Sequence, residues 1–323
     1  MAQTDIKAPV SIINYQTADL TIQCAQSVLD DVGDLNVLIA IVDNASGDGS
    51  VDKLAQWIAA LPEPQNVVLI QSKENTGFSG GHNQSMQVAE ASYYLLLNSD
   101  AVLRPGFLRT ILSTAEGQKG SGLWAPRIEY DSGEQQISCF RFHSPASELI
   151  RGAASGPIAR ALSRFKVPLD MSTAQNKTEW ASFACILLRG NMIKQVGPMD
   201  PGYFLYFEDV EYCWRARKAG WGISYVPEAI AVHFRGGSGP VMSLAQAKKR
   251  LPEYYYASRT RMFYQFYGQT GLMLANLLWC LGRGVAHIRL LFGKSVPKTA
   301  AKEAADIWTN IFTPLGDSRT PKD

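Results

Sequence analysis

Short apolar runs alternate with helix-spaced segments over the first 125 residues. Residues 9–14, 37–43, 66–71 and 93–97 read as strands, rich in Val, Ile and Leu and bounded by polar or turn residues. Residues 19–29, 51–61, 84–91 and 107–115 carry helical spacing, the last opened by Pro105. Such alternation predicts βαβ units, hence an α/β fold with a mostly parallel sheet covered on both faces. From 128 to 177 the pattern loosens. Residues 137–142 suit a strand, and 152–168, small-residue-rich and basic, read as a mobile insertion. Regular signals resume with a strand at 183–189 and a short helix ending at Gly197-Pro198. The aromatic run 203–207 leads into a helix at 210–218 that places Val210, Cys213 and Trp214 on one face and ends at Gly220. Two more strands are expected at 223–226 and 230–234.

Composition shifts near Pro240, which sets the expected boundary between a catalytic domain, 1–240, and a helical region, 241–323, that is basic and aromatic. The longest apolar stretch, 271–292, is broken by Asn276, Gly282-Arg283-Gly284, His287 and Arg289. A spanning helix needs roughly 20 mainly apolar residues, so this stretch suits a membrane interface better than a span. Overall the chain is ordinary for a globular protein, with 46% hydrophobic and 19% charged residues among 323. Its net charge of +2 hides an asymmetry. Residues 241–323 carry 12 Lys and Arg against 5 Asp and Glu, which leaves the first 240 at −5. A basic tail on an acidic body points to an anionic partner, lipid headgroups or nucleic acid, unless the charges only solvate a helix surface. The five cysteines are odd in number and widely spaced without a CxxC pair, which suits free thiols in a reducing compartment. The first seven residues lack the apolar stretch of a signal peptide.

In an open parallel sheet, ligands bind beyond the carboxyl ends of the strands. That rule singles out Asp43 and Asp100, each placed where an apolar run stops. Such an Asp also caps turns and helices, so the pair carries more than either alone. Around Asp43, the small polar residues to Ser50 suit contacts to a heterocycle or ribose. In 74–83, glycines permit close backbone approach and a following helix N-terminus suits phosphate. Gly77-Phe78-Ser79-Gly80-Gly81 also fits the GxSxG nucleophile elbow, but the polar stretch 72–76 separates the serine from its strand. Asn98-Ser99-Asp100 offers one carboxylate at a strand end, which is enough for a Mg²⁺ that keeps its waters. Glu208-Asp209 sits at a helix start, where carboxylates suit the macrodipole or supply a general base. His233 follows downstream.

Together these segments resemble the inverting glycosyltransferases of family 2, in the subgroup of rhamnosyl- and galactofuranosyltransferases. The matching text is Val10-Ser11-Ile12-Ile13-Asn14-Tyr15, the Asp43 segment, Asn75-Thr76-Gly77-Phe78, Asn98-Ser99-Asp100 and Tyr206-Phe207-Glu208-Asp209-Val210-Glu211 through Trp214-Arg215. Ala219-Gly220-Trp221 and Val226-Pro227-Glu228-Ala229 continue it to His233, and Tyr254-Tyr255-Tyr256 to Arg261 adds to it. The resemblance implies a GT-A-type domain followed by a C-terminal helical extension. It implies a nucleotide-diphosphate-sugar donor, dTDP-rhamnose ahead of a UDP-sugar, held by Asn14, Asp43, Asn75, Gly77, Asn98 and Asp100. Mg²⁺ or Mn²⁺ would sit at Asp100 and His233. Asp209 would be the base, with Glu208 beside it, and Arg235 with the glycines after it a loop over the diphosphate. Only the last acid of the family's DxD is present, and Phe183 stands where relatives commonly have Gly.

The implied acceptor is a saccharide carried on a polyprenyl lipid, used in cell-surface polysaccharide synthesis. That places the enzyme in the cytoplasm, peripheral on the inner face of the membrane. The C-terminal helices would meet that surface rather than nucleic acid, or else build a homo-oligomer. Two readings compete. A sugar-nucleotide-binding protein without activity has no use for Asp209 and His233, and a serine hydrolase needs Ser79 near a His and an Asp.

Overall fold

The structure is a computed structural model that describes residues 8–234, 241–293, 295–318 and 320. Its centre is an eight-stranded sheet. Four parallel strands come first in the chain: β1 (Val10–Asn14), β2 (Ile39–Asp43), β3 (Val67–Gln71) and β4 (Tyr93–Asn98). The short β5 (Ala101–Leu103) and the long β6 (Ser121–Glu129) follow, then a small ribbon of β7 (Cys139–Phe140) and β8 (Trp180–Ala181) outside the main sheet. β9 (Cys185–Arg189) and β10 (Gly222–His233) complete the sheet in the order β3-β2-β1-β4-β9-β6-β10-β5. β9 runs antiparallel to both its neighbours, and β5 antiparallel to β10. The mostly parallel α/β class expected from the sequence is therefore present.

β2 is buried at all five positions because helices cover both faces. On one face lie α1 (Ala18–Asp31), α2 (Ser50–Ala59) and α4 (Phe107–Gly117). The other face takes α7 (Gly190–Val196), α8 (Glu208–Lys218) and the start of α10 (Glu253–Ile288). α3 (Gly77–Met86) packs beside β1 and β2, and α5 (Pro145–Ala153) lies along α10. The remaining helices, α6 (Gly156–Ala161), α9 (Val241–Gln246) and α11 (Glu303–Asp306), are short.

Several expectations need correction. The helix expected at 84–91 begins at Gly77. Gly77 takes φ +67°, and a Cβ there would stand 2.1 Å from the Phe204 carbonyl oxygen, so glycine lets the turn enter the helix seven residues early. The two strands expected at 223–226 and 230–234 are one strand, irregular in register between Val226 and Ile230. The strand expected at 137–142 shrinks to β7, and β5 and β6 had no sequence signal. The stretch 152–168, expected as a mobile insertion, holds the end of α5, α6 and a 3₁₀ turn at Ser163–Phe165. α5 is fixed by a reciprocal Ser144–Ser147 capping box and by close packing on α10. A Cβ on Gly152 would lie 2.3 Å from the Trp279 carbonyl oxygen, so only a glycine lets these helices approach this closely. α10 itself bends at Gly268, where φ is 65° and ψ −172°. Packing crosses residue 240 as well: Phe204 lies in one cluster with Val241, Leu251 and Tyr254.

Candidate active site

β1, β2 and β4 end side by side, with Asn14 paired to Asp43 and Ile13 to Asn98 in register. That places Asn14, Asp43 and Asn98 at one edge, as parallel topology requires. Asn14 donates to Asp43 Oδ1 at 2.7 Å, and Ser46 gives both its backbone N–H (3.1 Å to Oδ2) and its hydroxyl (2.6 Å to Oδ1). Asp43 is 2% exposed. It braces the strand ends from below rather than lining the open hollow. The next residue does line it: Asn44 donates to Asn75 Oδ1 and to the Gly77 carbonyl, and accepts from the Thr76 N–H at 3.0 Å. One carboxamide thus locks the Asn75–Gly77 turn to the end of β2.

Two hollows share Phe78, Asn98 and Leu205. The first, about 180 Å³, is lined by Tyr15, Asn44, Asn75, Gly77, Ser99 and Tyr254. The second, about 320 Å³, brings together Gln136, Ser138, Trp180, Glu208, Asp209 and His233. Residues as far apart in sequence as Phe78 and His233 meet at this point. The Trp180 ring stacks on Phe140 with centroids 4.1 Å apart, giving the second hollow a flat aromatic wall.

Asp100 is fully buried beneath this hollow, and its Oδ1 lies 3.2 Å from His233 Nε2. β10 and β5 pair His233 with Ala101, which brings the two side chains together. Two neighbouring ligands of one Mg²⁺ or Mn²⁺, each about 2.1 Å from the ion, stand about 3 Å apart, so this pair fits a shared cation. Imidazole and carboxylate both belong to the donor set of such ions. Among the described residues no three His, Cys, Asp or Glu side chains gather to hold a metal by themselves. Water and donor phosphates would have to complete the shell.

Glu208 and Asp209 open α8 after two strained residues, Tyr206 at φ 71° and Phe207 at φ 70°. Non-glycine residues in this region cost of order 1–3 kcal/mol each. Rings hold the turn in place: Phe207 packs on His143 and Tyr255, with centroids 5.5 and 5.3 Å away, and Tyr206 packs on Tyr255 at 5.6 Å. Burial pushes the Asp209 carboxyl up to about 7, against the pull of backbone N–H groups at Val210 and Phe183. Glu208 is pushed well up by burial first and then by the charge of Asp209, and its Oε2 has no hydrogen-bond partner among the described residues. A carboxylate poised near neutrality at a cleft wall can take a proton from a bound hydroxyl.

Phe183 lines the second hollow, and its ring packs against Tyr212 with centroids 6.1 Å apart. The Ser79 hydroxyl is buried without a hydrogen-bond partner among the described residues, and His82 nearby turns its Nδ1 to Ser11 Oγ at 2.6 Å. Burial holds that imidazole neutral, near 3, so the nucleophile elbow is not assembled. Arg235 lies outside the described residues. All five cysteines are free. Sequence reading passed over Asn44, Gln136 and the Phe140–Trp180 wall, of which only Asn44 had a signal, its place beside Asp43.

A hollow at parallel strand ends, beside a second hollow lined by Glu208, Asp209 and His233, is the arrangement expected of a glycosyltransferase of GT-A type. Comparison with known proteins agrees. Residues 10–164 match the model of Glycosyl transferase family 2. It is 28% identical over 273 residues to the N-acetylglucosaminyl-diphospho-decaprenol L-rhamnosyltransferase of Mycobacterium tuberculosis, covering 78% of this chain and 82% of that one. It is 24% identical over 163 residues to the rhamnosyltransferase WbbL of Escherichia coli K12, covering 48% of this chain and 60% of that one. Among solved structures it resembles the mannosyltransferase PcManGT of Pyrobaculum calidifontis, in complex with GDP-Man and Mn²⁺ (TM-score 0.55, 13% identity, 96% and 84% of the two chains). GalNAc-T7 with UDP, GalNAc and Mn²⁺ is similar in fold (TM-score 0.57, 12% identity, 80% and 48% of the two chains).

Proposed function

We propose that this enzyme transfers rhamnose with inversion from dTDP-rhamnose to a polyprenyl-linked saccharide, in polysaccharide synthesis at the cytoplasmic face of the membrane. The observation that carries the reaction is the second hollow, whose wall holds both Asp209 and His233, with the buried Asp100 carboxylate 3.2 Å from the His233 ring nitrogen. The rhamnose and the lipid-linked acceptor are supported by the names of the two rhamnosyltransferase relatives.

In this reading the nucleotide lies in the first hollow against Tyr15, Asn44 and Asn75, with Asn14 and Asp43 fixing the floor. Gly77 and Asn98 border the sugar and diphosphate. Asp100 and His233 hold Mg²⁺ or Mn²⁺, which when bound neutralises charge on the departing diphosphate. Asp209 accepts the proton of the acceptor hydroxyl as that oxygen bonds to the anomeric carbon. The anomeric C–O bond to phosphate breaks on the opposite side, and its electron pair leaves with the nucleoside diphosphate. Glu208, its carboxyl pushed well up by burial and then by the Asp209 charge, favours its neutral form and offers a hydrogen bond rather than a second negative charge. The Phe140–Trp180 wall gives an acceptor ring an apolar face to rest on. Residues 1–240 carry this chemistry, and residues 241–323 supply the approach to the membrane.

The test is a thermal-stabilisation screen of nucleotide sugars with and without Mn²⁺, since a ligand of the folded state raises apparent stability by mass action. dTDP-rhamnose with Mn²⁺ should give the largest shift, and transfer to a polyprenyl-diphosphate saccharide should follow. A larger shift with a UDP-sugar would replace rhamnose. No shift with any donor would remove the reading altogether.

A further inference from the structure

The outer side of α10 beyond Gly268 is apolar and exposed. Leu274, Leu277, Leu281 and Ile288 are 46 to 56% exposed at helical spacing, and Leu291 and Phe292 reach 82 and 74%. The opposite side is fixed to the protein. Trp279 and Asn276 are buried, and Gly282 meets α5 so closely that a Cβ would stand 2.6 Å from the Leu149 carbonyl oxygen and the Ala153 nitrogen. The helix therefore lies along the body with one face open instead of leaving it to cross a bilayer.

Charge around this face is one-sided. From Thr270 to Lys302 the sequence has five Lys and Arg and no Asp or Glu. Arg283 donates to the Gly152 carbonyl at 3.3 Å and Arg289 to the Ala154 carbonyl at 3.2 Å, so the end of α10 adjoins the segment that begins at Ser155. That segment, through Pro168, carries Arg160, Arg164 and Lys166, again without an acid, and all three are exposed. An ordinary solvated surface mixes both signs, whereas these two chain segments, distant in sequence, meet with cations only. The first 240 residues are otherwise acidic on balance.

We infer that the open face of α10, the 3₁₀ turn Arg289–Phe292 and the α6 segment form one docking surface for an anionic lipid bilayer. The leucines and Phe292 enter the boundary between headgroups and acyl chains, and the arginines and lysines meet lipid phosphates. Nucleic acid would match the cations but not a row of exposed leucines. This inference rests on the lipid-linked acceptor only for its use to the enzyme. α10 also reaches toward the second hollow: the Tyr267 hydroxyl donates to the carbonyl of His143, just before α5, and the His143 ring lies against Trp180 and Phe207.

The experiment is co-sedimentation of the full chain with phosphatidylcholine vesicles and with vesicles that also contain phosphatidylglycerol. Binding should require the anionic lipid and weaken with salt. Arg160→Glu with Arg164→Glu should weaken it about tenfold or more, and Leu291→Glu with Phe292→Glu should abolish it. Melting temperatures of both variants control for folding, since all four positions are exposed. Equal binding by the variants, or indifference to phosphatidylglycerol, overturns the inference. So does a dimer in solution that Leu291→Glu with Phe292→Glu converts to monomer without any vesicle binding by the parent. Donor-induced stabilisation, measured in parallel, reads the catalytic proposal separately: vesicle binding without any donor response would remove that proposal and leave this one.

Discussion

His233 Nε2 stands 3.2 Å from Asp100 Oδ1 because β10 and β5 pair two segments more than a hundred residues apart. Asp100 is fully buried and presents one carboxylate. With a single acid where the family's motif has two, the proposed metal site needs the imidazole as its second protein donor. Asp100→Ala and His233→Ala should each weaken Mn²⁺-supported donor binding by about tenfold or more, read as a loss of the Mn²⁺-dependent part of donor-induced stabilisation. If either variant keeps the full response to Mn²⁺, the pair is not the metal site.

Asp209 should act as base only when ionised. Its carboxyl is pushed up to about 7 by burial, so kcat/KM should rise as pH increases through about 7 and level off above. Asp209→Asn keeps the shape and removes the base. Turnover should fall by about 10² to 10⁴ while the thermal shift given by the donor stays nearly intact. Normal turnover in this variant would falsify the assignment.

The same shift has a cost in stability. Folded Asp209 binds its proton more tightly than the unfolded chain, whose carboxyl ionises near 3.8. Stability should therefore fall as pH rises from about 4 through 7 and then stay level, with Glu208 adding to the trend in the same direction. Asp209→Asn removes the charge that burial disfavours. It should be more stable than the parent by about 1–2 kcal/mol at pH 8 and gain little at pH 4, as measured by urea denaturation at the two values. An equal gain at both would show that burial of charge is not the cause.

The parallel half of the fold was legible because each of β1 to β4 is a short apolar run ended by a polar residue, and topology then puts those ends together. Asp100, Asp209 and His233 were singled out through motif resemblance; Asp209 and His233 line the second hollow, and Asp100 lies buried beside His233. Other parts left no local trace. β5 is three residues long and exists through pairing with β10. The wall of Phe140 and Trp180 joins residues forty apart through a two-residue ribbon. The α6 segment looked mobile because its composition is small and basic, yet the packing of α5 on α10 fixes its entry, and that depends on Gly152 and Gly282 finding each other. Asp43 was placed at the correct strand end, but which carboxylate faces a hollow and which braces one is set by hydrogen bonds no spacing rule shows.

Arg259 ties the helical region to the body through a buried ion pair. It is 3% exposed, donates to Glu148 Oε2 and to Asn276 Oδ1 at 2.7 Å each, and packs over the Phe263 ring. Burial alone would raise the Glu148 carboxyl, but Arg151 and Arg259 outweigh it and hold the group at about 2. The pair thus contributes stability above the ordinary carboxylate range, lost as pH falls toward 2. Arg259→Ala removes one of the two arginines paired with buried Glu148, Arg151 remaining, and should cost about 2–3 kcal/mol. Adding Glu148→Leu to Arg259→Met should recover much of that loss, because a buried ion pair and an apolar pair of similar volume are often close in stability. α5 also carries His143 to the Phe207 ring beside the base. The single variant should therefore lower turnover at temperatures where it is still folded, and the double variant should restore stability more fully than turnover. Urea denaturation and turnover of the two variants check this together. Full recovery of both would show that Arg259 serves packing alone, with no part in setting the turn before Glu208.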